Sequence, residues 1–509
     1  MSSQPRQKDA FLSGEERSDP MEVLPAELQR ERQRLEKLFT VDTAMLKKIT
    51  KRFGEELEEA SANADQLTFT FEPMNITWVT SLPTGKETGT YLALDLGGTN
   101  LRVCLVTLTG KGDAEVTQEK YPLPSEVKTG TSEQLWDLIA GSLQNFVEQH
   151  QPDSQKRSEP LPLGFTFSYP ATQDRIDHGR LQTWTKGWDI EDVEGQNVAA
   201  MLEDAIARRK LPIKLVTLVN DTTGALIASM YKDKDTIIGA IFGTGCNAAY
   251  VERIKNIPKL QLSDDEKSKY GTGGEDDLMA INCEYGAFDN SHSILPRTTF
   301  DERVDEESPR PGEQTFEKMS AGLYLGEIFR QAILDMWKQG VLFKSEQGSN
   351  QGQTADNAEK KRKSIGEPYN IDTEFLSAIE NDDSEELIES RNLFAEQLCL
   401  PDPESTTLCP TFEELLLMRH LAQLIAIRGA RLCACGVSAI CQRLGEKSGH
   451  VAADGSVAIK HPHFRKRWEM AVAEVLDLEQ GQITLTSAED GSGIGAAVIT
   501  ALRMAKNLK

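Results

Sequence analysis

Two copies of one short pattern constrain this chain more than any other feature. Residues 91–96 and 101–108 are apolar runs of β type, separated by Gly97-Gly98-Thr99-Asn100. Residues 237–242 and 248–251 repeat the arrangement around Gly243-Thr244-Gly245-Cys246-Asn247. An apolar strand, a Gly-Thr tip and a returning strand read as a hairpin. Two such units about 150 residues apart predict two related lobes that face each other. Strands alternating with long helical stretches predict α/β architecture.

The chain has 509 residues, which fits about three domains or equally well two large lobes. Apolar residues make up 39%, enough for sizeable cores. The net charge of −24 argues against general nucleic-acid binding, which needs a basic footprint, and against docking on anionic membranes. The opening MSSQPRQKDAFLSGEERSDP carries no apolar core of a secretory signal, and no stretch approaches the roughly 18 apolar residues of a membrane span. A cytoplasmic protein without nucleic-acid or membrane partners is expected. Most of the eight cysteines (Cys104, Cys246, Cys283, Cys399, Cys409, Cys433, Cys435, Cys441) lie in apolar runs, and none forms a CxxC pair. They read as reduced, buried thiols. Asn75-Ile76-Thr77 has the form of a glycosylation sequon, a chance match without a secretory signal.

Residues 1–20 are polar and aperiodic, and read as disordered. Met45, Ile49, Phe53 and Leu57 recur every four residues, as one buried helical face requires. Residues 82–90 read as a turn, 344–370 as an exposed polar loop, and 411–445 as a helix. The end, GSGIGAAVITALRMAKNLK, reads as a Gly-rich turn opening a terminal helix.

The Gly-Thr tips carry the chemistry. Glycine lets backbone N–H groups approach phosphate oxygens, the Thr hydroxyl adds a donor, and Asp95 at a strand end can orient hydrated Mg2+. One such tip is equally an ordinary tight turn; two can grip one polyphosphate from both sides. GxxxxGK[ST], HRD and DFG signatures are absent, which disfavours P-loop and protein-kinase folds. Asn220-Asp221 follows the apolar run 215–219, so Asp221 is a candidate general base, although alone the pair is an ordinary turn. Thr185-Lys186-Gly187 supplies a cation of the kind phosphoryl transfer uses. Glu284 and Glu317 lie in segments of mixed polarity; they can serve the many hydroxyls of a hexose, and singly each would more often be a solvated surface residue.

From about residue 25 to its end the sequence resembles the eukaryotic hexokinases, most closely the fungal hexokinases and glucokinases. The resemblance rests on long ordered segments: LPTGKETGTYLALDLGGTNLRV, LPLGFTFSYPATQ, LQTWTKGWDI, LVNDTTGALIAS, IFGTGCNAAY, MAINCEYGAFDN, SPRPGEQTFEKMSAGLYLGE, AADGSV and AEDGSGIGAAVI. It implies an α/β, two-lobed actin-like ATPase (ribonuclease H-like) fold with the active site in the interlobe cleft. The implied division is a tail 1–20, an N-terminal helical part of the large lobe 21–86, a small lobe 87–222, a large lobe 223–488, and a helix 489–509 returning to the small lobe.

The implied activity is transfer from Mg-ATP to the 6-hydroxyl of glucose, fructose or mannose, the first step of glycolysis. A glucose-selective glucokinase and a non-catalytic sugar-sensing regulator are the alternatives. By position, Ser168, Thr185, Lys186, Asn220, Asp221, Asn247, Glu284 and Glu317 match the sugar set, with Asp221 as base and Lys186 near the phosphoryl acceptor. Asp95, Gly97, Gly98, Thr99 and Asn100 match the first phosphate loop, and Thr244 and Gly245 the second. Lys120, Gly322, Thr373, Ser377, Gly455 and Ser456 match nucleotide-side positions, and no residue ligates the metal directly. The partner is a small-molecule hexose, and the protein is expected as a monomer or weak homodimer. Cys246 stands where relatives usually carry Val, a departure that could alter nucleotide affinity.

Overall fold

The computed structural model describes residues 24–62, 74–98, 100–153, 158–184, 188–260, 274, 277–344, 362–401, 408–488 and 490–507. The expected disordered tail 1–20 and most of the expected loop 344–370 lie outside them. Of that loop, residues 344 and 362–370 are described, and Ile365 is fully buried next to a short strand rather than exposed. An apolar side chain in a polar run still seeks a core when its neighbours can pair their backbone.

The described strands are β1 (Asn75–Ile76), β2 (Thr88–Leu96), β3 (Asn100–Thr109), β4 (Ala114–Pro122), β5 (Leu161–Phe167), β6 (Ala171–Arg175), β7 (His178–Leu181), β8 (Ile213–Val219), β9 (Thr236–Phe242), β10 (Cys246–Arg253), β11 (Leu278–Asn282), β12 (Lys363–Ser364), β13 (Leu398–Cys399), β14 (Gly449–Asp454) and β15 (Ile483–Ser487). The chain forms two compact units, Val41–Ile328 with Ala426–Lys509, and Met1–Thr40 with Phe329–Ile425.

The first unit holds both large sheets, ordered β4-β3-β2-β5-β8 and β1-β11-β10-β9-β14-β15. In the former, β4/β3 and β3/β2 are antiparallel while β2/β5 and β5/β8 are parallel. In the latter, β11/β10 and β10/β9 are antiparallel while β9/β14 and β14/β15 are parallel. With β1 set aside, each sheet places its strands in the same order of succession: third, second, first, fourth, fifth. The duplication signalled by the two hairpins therefore extends through both sheets.

A helix follows the last strand of each sheet and packs on the other one. Asp221–Lys232 follows β8 and lies on β9, where a Cβ on Gly239 would sit 2.6 Å from the Leu226 nitrogen. Gly491–Asn507 follows β15 and lies on β5, where a Cβ on Gly164 would sit 2.7 Å from both the Ala496 carbonyl oxygen and the Thr500 hydroxyl. Thr500 pairs with Thr217 at 2.8 Å, and Thr166 donates to the Ser492 carbonyl at 2.9 Å. These polar pairs are buried and mutually satisfied, so they fix the register of the helix without an unpaired-group penalty.

The helix Thr43–Ala62 buries Leu46, Ile49, Phe53 and Leu57 completely, whereas Met45 is only half-buried. A four-residue repeat drifts by roughly 40° per step on a helix of 3.6 residues per turn, so Leu46 and not Met45 shares the face of the later three. The helix Phe412–Leu444 is long and apolar enough by length and composition to cross a bilayer, contrary to the sequence expectation, but 83% of its most apolar stretch is buried in the protein. That burial marks a core helix. All eight cysteines are free thiols; seven are buried and Cys409 is exposed. Asn75 and Thr77 of the sequon are 4% and 3% exposed, which leaves no room for a glycan.

The second unit is mainly helical, with Ala26–Phe39, Thr373–Glu380 and Ile388–Gln397, and the parallel pair β12/β13. Phe394 packs edge-on against Phe375 at 5.2 Å between ring centroids.

Candidate active site

Asp221 is the first residue of its helix. Asn220 caps that helix by accepting the Thr222 N–H at 2.8 Å. An Asn cap satisfies an otherwise orphaned N–H, so the Asn-Asp pair is a helix start rather than a free turn. Oδ1 of Asp221 accepts the Thr222 N–H at 2.7 Å and its hydroxyl at 3.2 Å. Among the described residues its second oxygen is uncommitted.

The other face of Asn220 looks into an amide-carboxylate cluster. Oε1 of Glu284 accepts from Nδ2 of Asn282 at 2.8 Å, of Asn247 at 3.2 Å and of Asn220 at 3.3 Å. The Glu284 N–H donates to Oδ1 of Asn247 at 2.9 Å, and Asn247 Nδ2 also donates to Asn282 Oδ1 at 2.8 Å. Glu284 adopts a left-handed backbone with φ of 53°. A non-glycine residue held there costs stability, and such strain collects at functional sites. Glu317, in the helix Thr315–Ser320, accepts the Cys246 N–H at 3.0 Å. Gly245 leaves space for it: a Cβ there would lie 2.5 Å from Glu317 Oε2.

The aromatic neighbours of the two glutamates hold them in place. Tyr285 and Phe316 both pack edge-on against Phe53, at 5.4 and 5.2 Å, and Phe288 stacks on Phe53 at 3.8 Å. Burial of four rings in one cluster pulls the adjoining glutamates to one place. This overturns the reading of either glutamate as a solvated surface residue.

The two Gly-Thr tips are built differently. In the first, Gly97 N–H donates to the Asn100 carbonyl at 3.1 Å, closing the turn between β2 and β3. Tyr169 donates to the Gly97 carbonyl at 3.1 Å and Trp188 to the Gly98 carbonyl at 3.2 Å. In the second, the Gly322 N–H donates to the Gly243 carbonyl at 2.7 Å and Leu323 N–H to the Thr244 carbonyl at 3.2 Å. Gly455, at φ of 108°, would place a Cβ 2.6 Å from the Phe242 carbonyl. Gly243, Gly322 and Gly455 thus form one backbone-on-backbone contact that larger residues would open.

Asp95 of the first tip joins a group of residues, Arg102, Asp454, Asp490 and Ser492, that the sequence reading left unassigned. Asp95 Oδ2 accepts from Ser492 at 2.7 Å and from Arg102 at 3.1 Å. Arg102 also donates to Asp490 at 2.5 Å and to Ser492. Burial pushes the Asp95 carboxyl up and Asp221 adds to this, while Arg102 and Ser492 pull it down. Burial raises Asp454 as well, with Asp221 and Asp490 adding to it, against the Gly455 N–H and Arg102. Asp490 immediately precedes its helix after β15 as Asn220 does after β8, and its carbonyl accepts from Ile494 N–H as that of Asn220 accepts from Gly224 N–H. The signals were present in LGGTNLRV, AADGSV and AEDGSG.

Ser168 follows β5 and is buried, with its N–H donated to the Leu96 carbonyl. Lys120 is exposed on β4 opposite Arg102. Ser456 opens the helix Ser456–Lys460 after Gly455. Thr99, Thr185 and Lys186 lie outside the described residues. Thr373 and Ser377 belong to the second unit, on a helix capped by Asp372. Cys246 turns its thiol into the core within 3.6 Å of Ser320, so the tip gains its backbone and not its side chain.

Residues 31–231 and 237–502 match two family models, each described as Hexokinase. The chain belongs to the hexokinase family. It is 48% identical to a hexokinase of Emericella nidulans over 96% of this chain and 94% of that protein. It is 45% identical to Hexokinase-2 of Saccharomyces cerevisiae, with the same shares covered. A hexokinase structure from Schistosoma mansoni, complexed with glucose, matches with a TM-score of 0.76 at 29% identity, covering 93% of this chain and 99% of that one. The hexokinase-family chain has the actin-like ATPase fold and is a hexose kinase.

Proposed function

We propose that this hexose kinase transfers the terminal phosphoryl group of ATP to the 6-hydroxyl of glucose, fructose or mannose. The observation that carries the reading is the position of Asn220-Asp221, which joins the Glu284 amide-carboxylate cluster on one side to the Asp95–Arg102–Asp490 group on the other. A sugar hydroxyl presented by the first meets a phosphate presented by the second, and Asp221 stands between them as the base.

The sugar is held by Glu284, Glu317, Asn220 and Asn247, with Ser168, Thr185 and Lys186. Carboxylates and amides provide the aligned donors and acceptors that select a polyol. Asp221 takes the 6-hydroxyl proton as the oxygen attacks, an assistance worth on the order of 10²–10⁴-fold. The N–H groups of the two Gly-Thr tips, the starts of the helices at Asp221 and Gly491, and Lys186 favour the charge of the transferring group. Lys120, Thr373, Ser377 and Ser456 belong to the nucleotide side of this reading.

The acidic group fits a hard divalent cation. Asp95 and Asp490 both pair with Arg102, Asp454 lies within the influence of that guanidinium, and oxygen donors of this kind suit Mg2+, which keeps several waters. When bound, Mg2+ neutralises charge on the β- and γ-phosphates; Asp95 would hold it through water. We place the lobe division at 87–222 and 223–488, on the support of the two matching sheets, and read the protein as a cytoplasmic monomer or weak homodimer.

Steady-state ADP formation with Mg-ATP and glucose, fructose, mannose or no sugar tests the proposal. Turnover with all three and little without sugar is expected. Turnover confined to glucose would make the enzyme a glucokinase. A folded protein with no sugar-dependent turnover would replace the kinase reading by that of a sugar sensor.

A further inference from the structure

Glu194 stands in the turn between β7 and the helix Val198–Arg208. That turn is pinned to the end of β7. The Gly195 N–H donates to the Leu181 carbonyl at 2.7 Å, and the Leu181 N–H donates to the Gln196 carbonyl at 3.2 Å. Val193 is fully buried. Asn197 closes the turn by capping the helix, with Oδ1 accepting the Ala199 N–H at 3.2 Å. The half-exposed side chain of Glu194 therefore rises from a fixed backbone.

One oxygen of that carboxylate, Oε1, accepts the Trp184 N–H at 2.7 Å and the Thr183 hydroxyl at 3.1 Å. Hydrogen bonds to a carboxylate are shorter and stronger than neutral ones, so two adjoining residues are held by one charged acceptor. Arg310 Nη2 stands 3.9 Å from the same oxygen. The Arg310 carbonyl accepts in turn from Nζ of Lys318, the neighbour of Glu317, at 2.7 Å. The indole of Trp184 is fixed as well: it stacks on Trp188 at 5.2 Å between ring centroids and donates to the Ile190 carbonyl at 3.2 Å. Trp188 donates to Gly98 of the first phosphate tip. Thr185 and Lys186 lie in sequence between these two tryptophans.

We infer that Glu194 is a positioning residue for the transfer reaction: its carboxylate fixes the chain at Thr183 and Trp184, and so sets the point from which Thr185 and Lys186 serve sugar and phosphate. This rests on the kinase reading above. Glu194 itself touches neither ligand; it acts through the two residues it holds. Arg310 keeps the oxygen turned towards them and ties it to the segment that leads to Glu317. An exposed ion pair at this distance contributes little by itself, so the two hydrogen bonds carry the effect.

The test compares the wild type with Glu194→Ala, Glu194→Asp, Glu194→Gln and Arg310→Met. Turnover is read from ADP release and glucose binding from titration calorimetry. Glutamine keeps an acceptor at the same reach. Aspartate keeps the charge but is one methylene short, so it serves if the alanine variant melts early. The glucose kcat/KM is expected to fall about 10- to 100-fold in Glu194→Ala and Glu194→Asp, and to stay within about fivefold of wild type in Glu194→Gln and Arg310→Met. Rescue by glutamine and failure of aspartate separate an acceptor of fixed reach from a residue that merely supports the fold. Alanine and aspartate variants within about twofold of wild type, or a glutamine variant as impaired as alanine, overturn the assignment. A wild type that binds glucose without turnover would instead remove the kinase reading. The same ranking of the variants in glucose Kd would then still support Glu194 as a positioning residue, and equal Kd values would overturn it.

Discussion

Gly495 lies directly against Gly224: a Cβ on Gly495 would sit 2.1 Å from the Gly224 carbonyl oxygen. A Cβ on Gly491 would likewise sit 2.7 Å from the Ala225 Cα. The two helices that exchange sheets therefore cross backbone to backbone near their starts, which lie at Asp221 and Gly491. Gly495→Ala is expected to destabilise the protein by about 1–3 kcal/mol and to lower turnover by displacing Asp490 and Ser492. Denaturant melts and steady-state assays read both effects; an unchanged melt would mean that the crossing yields easily.

Asp221→Ala removes the base and leaves the Glu284 cluster intact. Turnover is expected to fall at least about 10²-fold while sugar binding persists. Near-normal turnover would take Asp221 out of that role.

Glu284→Gln replaces a carboxylate that accepts three amide N–H groups with a group that is itself half donor. Hydrogen bonds to a charged acceptor are worth about 1.5–3 kcal/mol, so the sugar KM should rise by about 10- to 100-fold. A KM within twofold of wild type would show that the cluster is structural and does not face sugar.

Arg102→Met strips Asp95 and Asp490 of their shared cation. Loss of a neighbouring positive charge raises carboxyl pKa values. The acid limb of the pH–rate profile should therefore move to higher pH, and turnover at neutral pH should drop. A lower rate with an unmoved limb would assign Arg102 to packing alone.

Glu56 is buried beneath the Asp289 turn, and burial pushes its carboxyl up to about 7 despite Arg52. Between about pH 4.5 and 7 the folded state holds a proton that the unfolded state has released, so this group lowers stability as pH rises through that window. Glu56→Gln should stabilise the protein at pH 8 by on the order of 1–3 kcal/mol, and by less at pH 5. Urea melts at the two pH values that differ by the same amount in both proteins would assign Glu56 an ordinary pKa.

The elements were legible because they depend on nearby residues. Both hairpins, the helix 412–444 and the Gly-rich start of the last helix follow from periodicity and turn residues alone. The repeated Gly-Thr tip announced two related sheets, and Asn220-Asp221 and the two tips announced phosphoryl chemistry. Met45 was misplaced because a count of four approximates the helical repeat without equalling it.

What no local pattern could supply was convergence. Glu284 and Glu317 look like surface residues until Phe53, more than two hundred positions away, gathers Tyr285 and Phe316. Arg102 became part of the site only when Asp490 returned to it across the whole chain, and Asn75 looked like a sequon until it paired in register with Asn282 inside a sheet. The sequence by itself determined the strands, helices and tips, because backbone preference and apolar periodicity act over a few residues. The tertiary structure alone decided which charges and amides meet, because ring burial and glycine-permitted contact act between segments remote in the chain.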